Sequence, residues 1–206
     1  MLKSPFKPIN TGASSYYFRS NLEAFLISTG IVALAEIGDK TQLLALLLAA
    51  RFKKPWPIVC GIFVATVLNH AMAGALGAWI TAAISPQTLR WILGASFIAM
   101  AVWMLIPDKL DDGVDKKPVR FGVFGTTVVL FFLAEMGDKT QVATVILAAR
   151  FDAYVAVVAG TTLGMMLANV PVVWLGERMT RLVPLRVVHF ASAIVFLGLG
   201  LFALLG

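Results

Sequence analysis

Ala35-Glu36-Ile37-Gly38-Asp39-Lys40-Thr41-Gln42 (AEIGDKTQ) returns at 134–141 as AEMGDKTQ, and these two strings decide how the chain is built. The first lies inside the run 24–50, which carries no other charge and would be about 40 Å long as one helix at ~1.5 Å per residue. The second lies in the same way inside 121–149. Each run is longer than the roughly 20 residues needed to cross a bilayer, so both polar blocks are expected near the midplane. A charged side chain there costs about 2.5–3.5 kcal/mol on the insertion scale. The blander reading, Asp39–Lys40 and Asp138–Lys139 as paired charges that tie helices together, leaves Glu36 and Glu135 without a role.

The match extends beyond the motif. Ala49-Ala50-Arg51-Phe52 corresponds to Ala148-Ala149-Arg150-Phe151, Gly61 to Gly160 and Gly77 to Gly176, all at the offset of 99 that relates Glu36 to Glu135. Leu89-Arg90 with Ala95-Ser96 recurs, after a short deletion, as Leu185-Arg186 with Ala191-Ser192. Six apolar stretches stand out, at roughly 22–50, 57–84, 89–106, 121–149, 154–175 and 186–205. They predict an all-α integral membrane protein of six transmembrane helices. The expected organisation is an N-terminal tail (1–20), a first three-helix repeat (21–106), a linker (107–120) and a second three-helix repeat (121–206). An odd number of spans per copy makes the second copy enter from the opposite face, the inverted-repeat plan of secondary transporters.

Composition agrees. The chain of 206 residues is 59% hydrophobic and 14% charged, with mean hydropathy +0.87, against about half apolar and a quarter charged in soluble proteins. Its +6 net charge is not a nucleic-acid footprint, because Lys and Arg sit at the ends of apolar runs. Arg51, Lys53, Lys54, Lys109, Lys116, Lys117, Arg120, Arg178, Arg181 and Arg186 fall on one side of the six-span arrangement. They outnumber Lys3, Lys7, Arg19, Arg90 and Arg150 on the other. This predicts a cytoplasmic linker and periplasmic termini in a bacterial inner membrane. Ala33-Leu34-Ala35 resembles a signal-peptidase site, but Leu34-Ala35-Glu36 recurs as Leu133-Ala134-Glu135, so it reads as part of a repeated helix. Cys60, the single cysteine, cannot form an internal disulfide and is expected to pack inside. No H-E-x-x-H, G-x-S-x-G or Walker A pattern occurs, and the Gly-Asp pairs lack the Gly-x-Gly-Asp of intramembrane aspartyl proteases. Neither an enzyme nor a cofactor is expected.

On a continuous helix, Glu36, Asp39 and Lys40 share one face, as do Glu135, Asp138 and Lys139. Gly38 and Gly137 permit close helix approach or local unwinding. Facing one another, the two motifs would offer Glu36, Asp39, Glu135 and Asp138 as cation ligands. Gln42, Gln141, Thr41 and Thr140 add oxygens, and Lys40 and Lys139 offset charge. Oxygen donors favour Mn²⁺, Ca²⁺ or Mg²⁺ over Zn²⁺ or Cu²⁺. Asn69 and His70 in the second span and Asn169 in the fifth either complete the shell, relay protons or join helices. Ser96 and Ser192 read as close-packing residues, as do His189, Met136, Met165 and Met166. Trp56 and Tyr154 read as interfacial anchors.

Paired E-x-G-D-[KR]-[ST] motifs opening each three-helix half resemble the Golgi-type Ca²⁺/Mn²⁺:H⁺ antiporter family, whose bacterial members resemble manganese exporters. The resemblance covers about 22–206. It implies divalent cation/proton antiport, with manganese export driven by proton entry, through one midplane site shared by both repeats. Glu36, Asp39, Glu135 and Asp138 would then bind the cation and exchange protons. A Ca²⁺/H⁺ exchanger with the same site and, further off, a cation channel are the alternatives, since carboxylate rings also select cations. The expected partners are the transported Mn²⁺ or Ca²⁺, protons and lipid, and no nucleic acid.

Overall fold

The computed structural model describes residues 11–106, 121–176 and 185–205. The linker, Arg178 and Arg181 lie outside them. The described residues form helices only: α1 (Thr11–Glu36), α2 (Lys40–Phe52), α3 (Pro55–Ala83), α4 (Pro86–Trp103), α5 (Gly122–Glu135), α6 (Lys139–Phe151), α7 (Tyr154–Leu175) and α8 (Leu185–Leu205). Prolines open α3 and α4, where the missing N–H has no helical partner anyway. Ser85 caps α4 by accepting from Thr88 N at 3.3 Å. α1 begins at Thr11, ahead of the apolar run, and no proline interrupts the chain between Pro8 and Pro55.

The motif-bearing runs, expected as continuous helices, are each broken in two. α1 stops at Glu36, Gly38 takes φ +86° and Asp39 precedes α2 in an extended conformation (φ −77°, ψ 168°). In the second copy α5 stops at Glu135, Gly137 takes φ +76° and Asp138 precedes α6. Positive φ costs a residue with a Cβ about 1–2 kcal/mol, so glycine is what lets the chain turn here. The expectation that Glu36, Asp39 and Lys40 share one face of a continuous helix is therefore corrected, and likewise for Glu135, Asp138 and Lys139. The acids cluster through a turn.

Three helical segments are individually long and apolar enough to cross a membrane: Pro55–Ala83, Tyr154–Leu175 and Val187–Leu205, with mean hydropathies of 1.8, 1.7 and 2.3. α5 is apolar but shorter, because the motif ends it. Trp79, Val155, Phe190, Phe202 and Leu205 are exposed, an apolar surface that water would not tolerate and lipid does. The chain is a membrane protein. Cys60 is exposed, contrary to its expected packing. The buried stripe of α3 runs through Gly61, Ile62, Ala65, Thr66, Asn69, His70 and Ala73, and Cys60 points off it. Met136 is likewise exposed, because the turn carries it out of both helices.

The copies interlock. α1 packs along α7, α5 along α3, and α4 along α8. A Cβ at Gly160 would meet Phe25 O and Ser28, and one at Gly61 would meet Phe124 O and Thr127, which are the same partners displaced by 99. Lipid supplies no hydrophobic drive between helices, so such backbone-close contacts carry the association. The copies also bend alike where their residues differ: Lys53 (φ 51°) and Asp152 (φ 47°), again 99 apart, both end a helix in the left-handed conformation. Ser192 Oγ donates to Leu34 O at 3.1 Å, in keeping with its packing role. Trp56 stacks edge-on with Trp174 at 5.4 Å, and Tyr154 donates to Ala71 O at 3.2 Å. The halves are not identical in packing. α6 is covered by α4, whereas α2 borders a groove of about 550 Å³ lined by Leu43, Leu46, Leu47, Val173 and Trp174.

Candidate cation site

Each turn is fastened by its own motif. Gly38 N donates to Gln42 Oε1 at 2.9 Å and Gly137 N to Gln141 Oε1 at 2.7 Å. Thr41 Oγ1 donates to Glu36 Oε2 at 2.6 Å and Thr140 Oγ1 to Glu135 Oε2 at 2.9 Å. The backbone closes the same way twice, Asp39 N to Glu36 O at 3.1 Å and Asp138 N to Glu135 O at 3.0 Å. Gln42 and Gln141, expected as ligands, thus also hold the turn. Their spacing four residues after a repeated glycine is the signal that could have shown this. Because nothing lies within 4 Å of a Cβ added at Gly137, Gly137→Ala isolates the backbone strain. Its expected cost is about 1–2 kcal/mol, read as a lowered melting temperature in detergent.

The two turns meet. Glu36 and Glu135 are fully buried, and Asp39 and Asp138 are 2% exposed. Thr140 approaches Glu36 as well as Glu135, so one hydroxyl sits between glutamates of different repeats. Glu36, Glu135 and Asp138 lie within electrostatic range of one another, and Lys40 within range of Asp39, Glu135 and Asp138. Lys40 Nζ is 3.1 Å from Asp138 Oδ2, an ion pair that joins the repeats. Sequence reasoning had weighed only pairs within a motif and missed it, since nothing in one dimension says that residue 40 meets residue 138. Lys139, 2% exposed, donates to Ile106 O at 2.7 Å beyond the end of α4.

The supporting residues surround this centre. Gln42 Nε2 donates to Ala168 O at 3.1 Å, and Asn169 Nδ2 to Met165 O at 3.1 Å and to Glu36 Oε2 at 3.4 Å. In the other half Gln141 Nε2 donates to Asn69 Oδ1 at 3.3 Å, and Asn69 Nδ2 to Phe132 O at 3.1 Å. Asn69 therefore joins α3 to α5 and α6, while Asn169 touches an acid directly. His70 is fully buried.

Among the described residues no three His, Cys, Asp or Glu side chains are drawn into one ligand-like group. Lys40 holds Asp138, and the two threonines hold the glutamates. Yet Glu36 Oε1 and Glu135 Oε1 are buried without a hydrogen-bond partner among the described residues. Buried acceptors left so cost about 1–3 kcal/mol each.

The profile of a family described as divalent cation/proton antiporter GDT1 matches residues 24–112 and 123–206, one stretch for each copy of the motif. A Vibrio cholerae protein named "Putative manganese exporter" is 51% identical over 177 residues, covering 85% of this chain and 88% of its own length. A GDT1-like protein of Synechocystis is 27% identical, covering 85% of this chain and 93% of its own length. The divalent cation/proton antiporter GDT1 of Saccharomyces cerevisiae is 22% identical, covering 86% and 81%. No solved structure matches the chain. The match covers nearly all of the described helices, and the chain belongs to the GDT1 family of divalent cation/proton antiporters.

Proposed function

We propose that this protein exports Mn²⁺ across a bacterial inner membrane in exchange for entering protons, at one site shared by its two motif turns. The observation that carries the reading is the meeting of Glu36 and Glu135 at the centre of the bundle, with Asp138 beside them and an unpartnered oxygen on each glutamate. The similarity to the Vibrio cholerae protein, named for manganese, supports the metal.

Proton and cation compete for the same carboxylate oxygens, because a ligand must shed its proton before it takes metal. Loaded with metal, or with protons, the site is electrically satisfied. Empty and ionised, it holds like charges at short range in a low-dielectric interior, which is costly. A carrier that changes sides only when satisfied must bring protons in for each metal ion it carries out. Six crossings, with each motif-bearing pair α1–α2 and α5–α6 forming one broken span, would set the copies in opposite orientation. Broken helices at the centre of inverted repeats suit a site reached from either side in turn. The unequal covering of α6 and α2 fits one of two such arrangements.

Proteoliposomes holding a pH dye test the reading. A Mn²⁺ gradient is expected to drive protons the opposite way, and metal flux without proton counter-flux would leave a channel as the better account. Preference for Ca²⁺ over Mn²⁺ under the same conditions would make it a Ca²⁺/H⁺ exchanger. The orientation is tested separately. In a Cys60→Ser background, a cysteine placed in the 107–120 linker is expected to react with an impermeant maleimide only after the membrane is opened. Labelling of intact cells would reverse the topology.

A further inference from the structure

His70 and Asn169 occupy the same place in the two copies, since the offset of 99 that carries Glu36 onto Glu135 carries His70 onto Asn169. The register holds in space at this level of the bundle. Gln42 reaches Ala168 and its counterpart Gln141 reaches Asn69, and Ala168 is the counterpart of Asn69. Asn169 Nδ2 lies 3.4 Å from Glu36 Oε2. By that symmetry His70 would face Glu135, from the α3 face that Asn69 ties to α5.

His70 is 0% exposed, and neither Nδ1 nor Nε2 has a hydrogen-bond partner among the described residues. Glu135 Oε1 and Asn169 Oδ1 are in the same condition. A histidine that merely joined helices would spend a ring nitrogen on a neighbouring helix, as Asn69 spends its amide. An unpartnered imidazole, set by the repeat symmetry toward a glutamate that also has an unpartnered oxygen, instead leaves two donor atoms for one ion.

We infer that His70 is a ligand of the transported ion and makes the site select a first-row transition cation over Ca²⁺ and Mg²⁺. This rests on the proposal that the motif acids hold that ion. Ca²⁺ and Mg²⁺ take oxygen ligands, and a nitrogen adds little to their binding. Imidazole adds to the binding of first-row transition ions, least for Mn²⁺ among them but still more than for Ca²⁺ or Mg²⁺, so one nitrogen in an otherwise oxygen shell tilts it toward Mn²⁺ relative to those two. Asn169 supplies an amide oxygen at the equivalent position and does not discriminate. One copy of the duplicated site therefore binds and the other also chooses.

The chain has two histidines, and His189 on α8 serves as the control. Pulsed electron paramagnetic resonance on purified protein loaded with Mn²⁺ is expected to show coupling to a bound imidazole nitrogen. The coupling should persist in His189→Gln and vanish in His70→Asn. Histidine-selective ¹⁵N labelling of the wild type and His189→Gln gives the same answer with position 70 untouched. In proteoliposomes His70→Asn, which makes the copies alike here, is expected to shift the Mn²⁺-to-Ca²⁺ preference toward Ca²⁺ by about tenfold. Bound Mn²⁺ without nitrogen coupling in a wild type that exchanges Mn²⁺ for protons overturns the inference and leaves the proposed function standing. So does an unchanged preference in a transporting His70→Asn. A wild type that exchanges neither cation for protons removes the function and this inference together.

Discussion

Glu36→Gln and Glu135→Gln are each expected to abolish Mn²⁺ transport in proteoliposomes while the protein still inserts and purifies as a folded species. Glutamine keeps the shape and the oxygen that accepts from Thr41 or Thr140, so the turn survives. What goes is a negative charge at a fully buried position. Each ~1.4 kcal/mol of lost attraction for the cation is a factor of ten, and an ion in a low-dielectric site loses several such steps. The fall should be about a hundredfold or more. Insertion should not suffer, because a neutral side chain at the midplane is less costly than a charged one. Equal loss in both variants is the diagnostic result, since the proposed site draws on both repeats. Transport that survives neutralisation of both Glu36 and Asp39, or of both Glu135 and Asp138, would mean that the halves do not share it.

Lys40→Met is expected to stop transport by a different route. Lys40 is 26% exposed and Asp138 2%, so the pair lies at the edge of the buried centre with its carboxylate on the inside. Removing the ammonium leaves that carboxylate beside Glu36 and Glu135 with less compensation. Stranding a buried partner costs about 1–3 kcal/mol, more when it is charged. Part of this is recovered because the lysine end is open to screening. Lys40→Met should therefore lower the melting temperature in detergent and transport together. Adding Asp138→Asn should restore the melting temperature and leave transport lost, since the stranded charge is gone but so is a proposed ligand. If Lys40→Met transports normally, the cross-repeat pair is incidental.

The duplication, the helical class, the membrane environment and the acids of interest were all legible in the residues. Each depends on local or additive properties. Apolar runs declare lipid by their length, and a string repeated at seven of eight positions at the centre of two such runs marks candidate site residues by the cost of placing charge there. The Gly38 and Gly137 turns were half legible. Glycine announced that the helix could unwind, but not that Glu36 would end one helix and Asp39 precede the next.

The sequence by itself determined which groups lie at the middle of the chain's two copies, and the register of 99 that relates them. Only the tertiary structure decided which groups touch: Lys40 with Asp138, Thr140 between two glutamates, and Asn169 on Glu36. The physical reason is that these contacts cross between copies. They are set by how glycine-lined faces such as Gly61 and Gly160 let α3 meet α5 and α7 meet α1, and close packing of backbones in lipid depends on shape in three dimensions that no periodicity along one chain encodes.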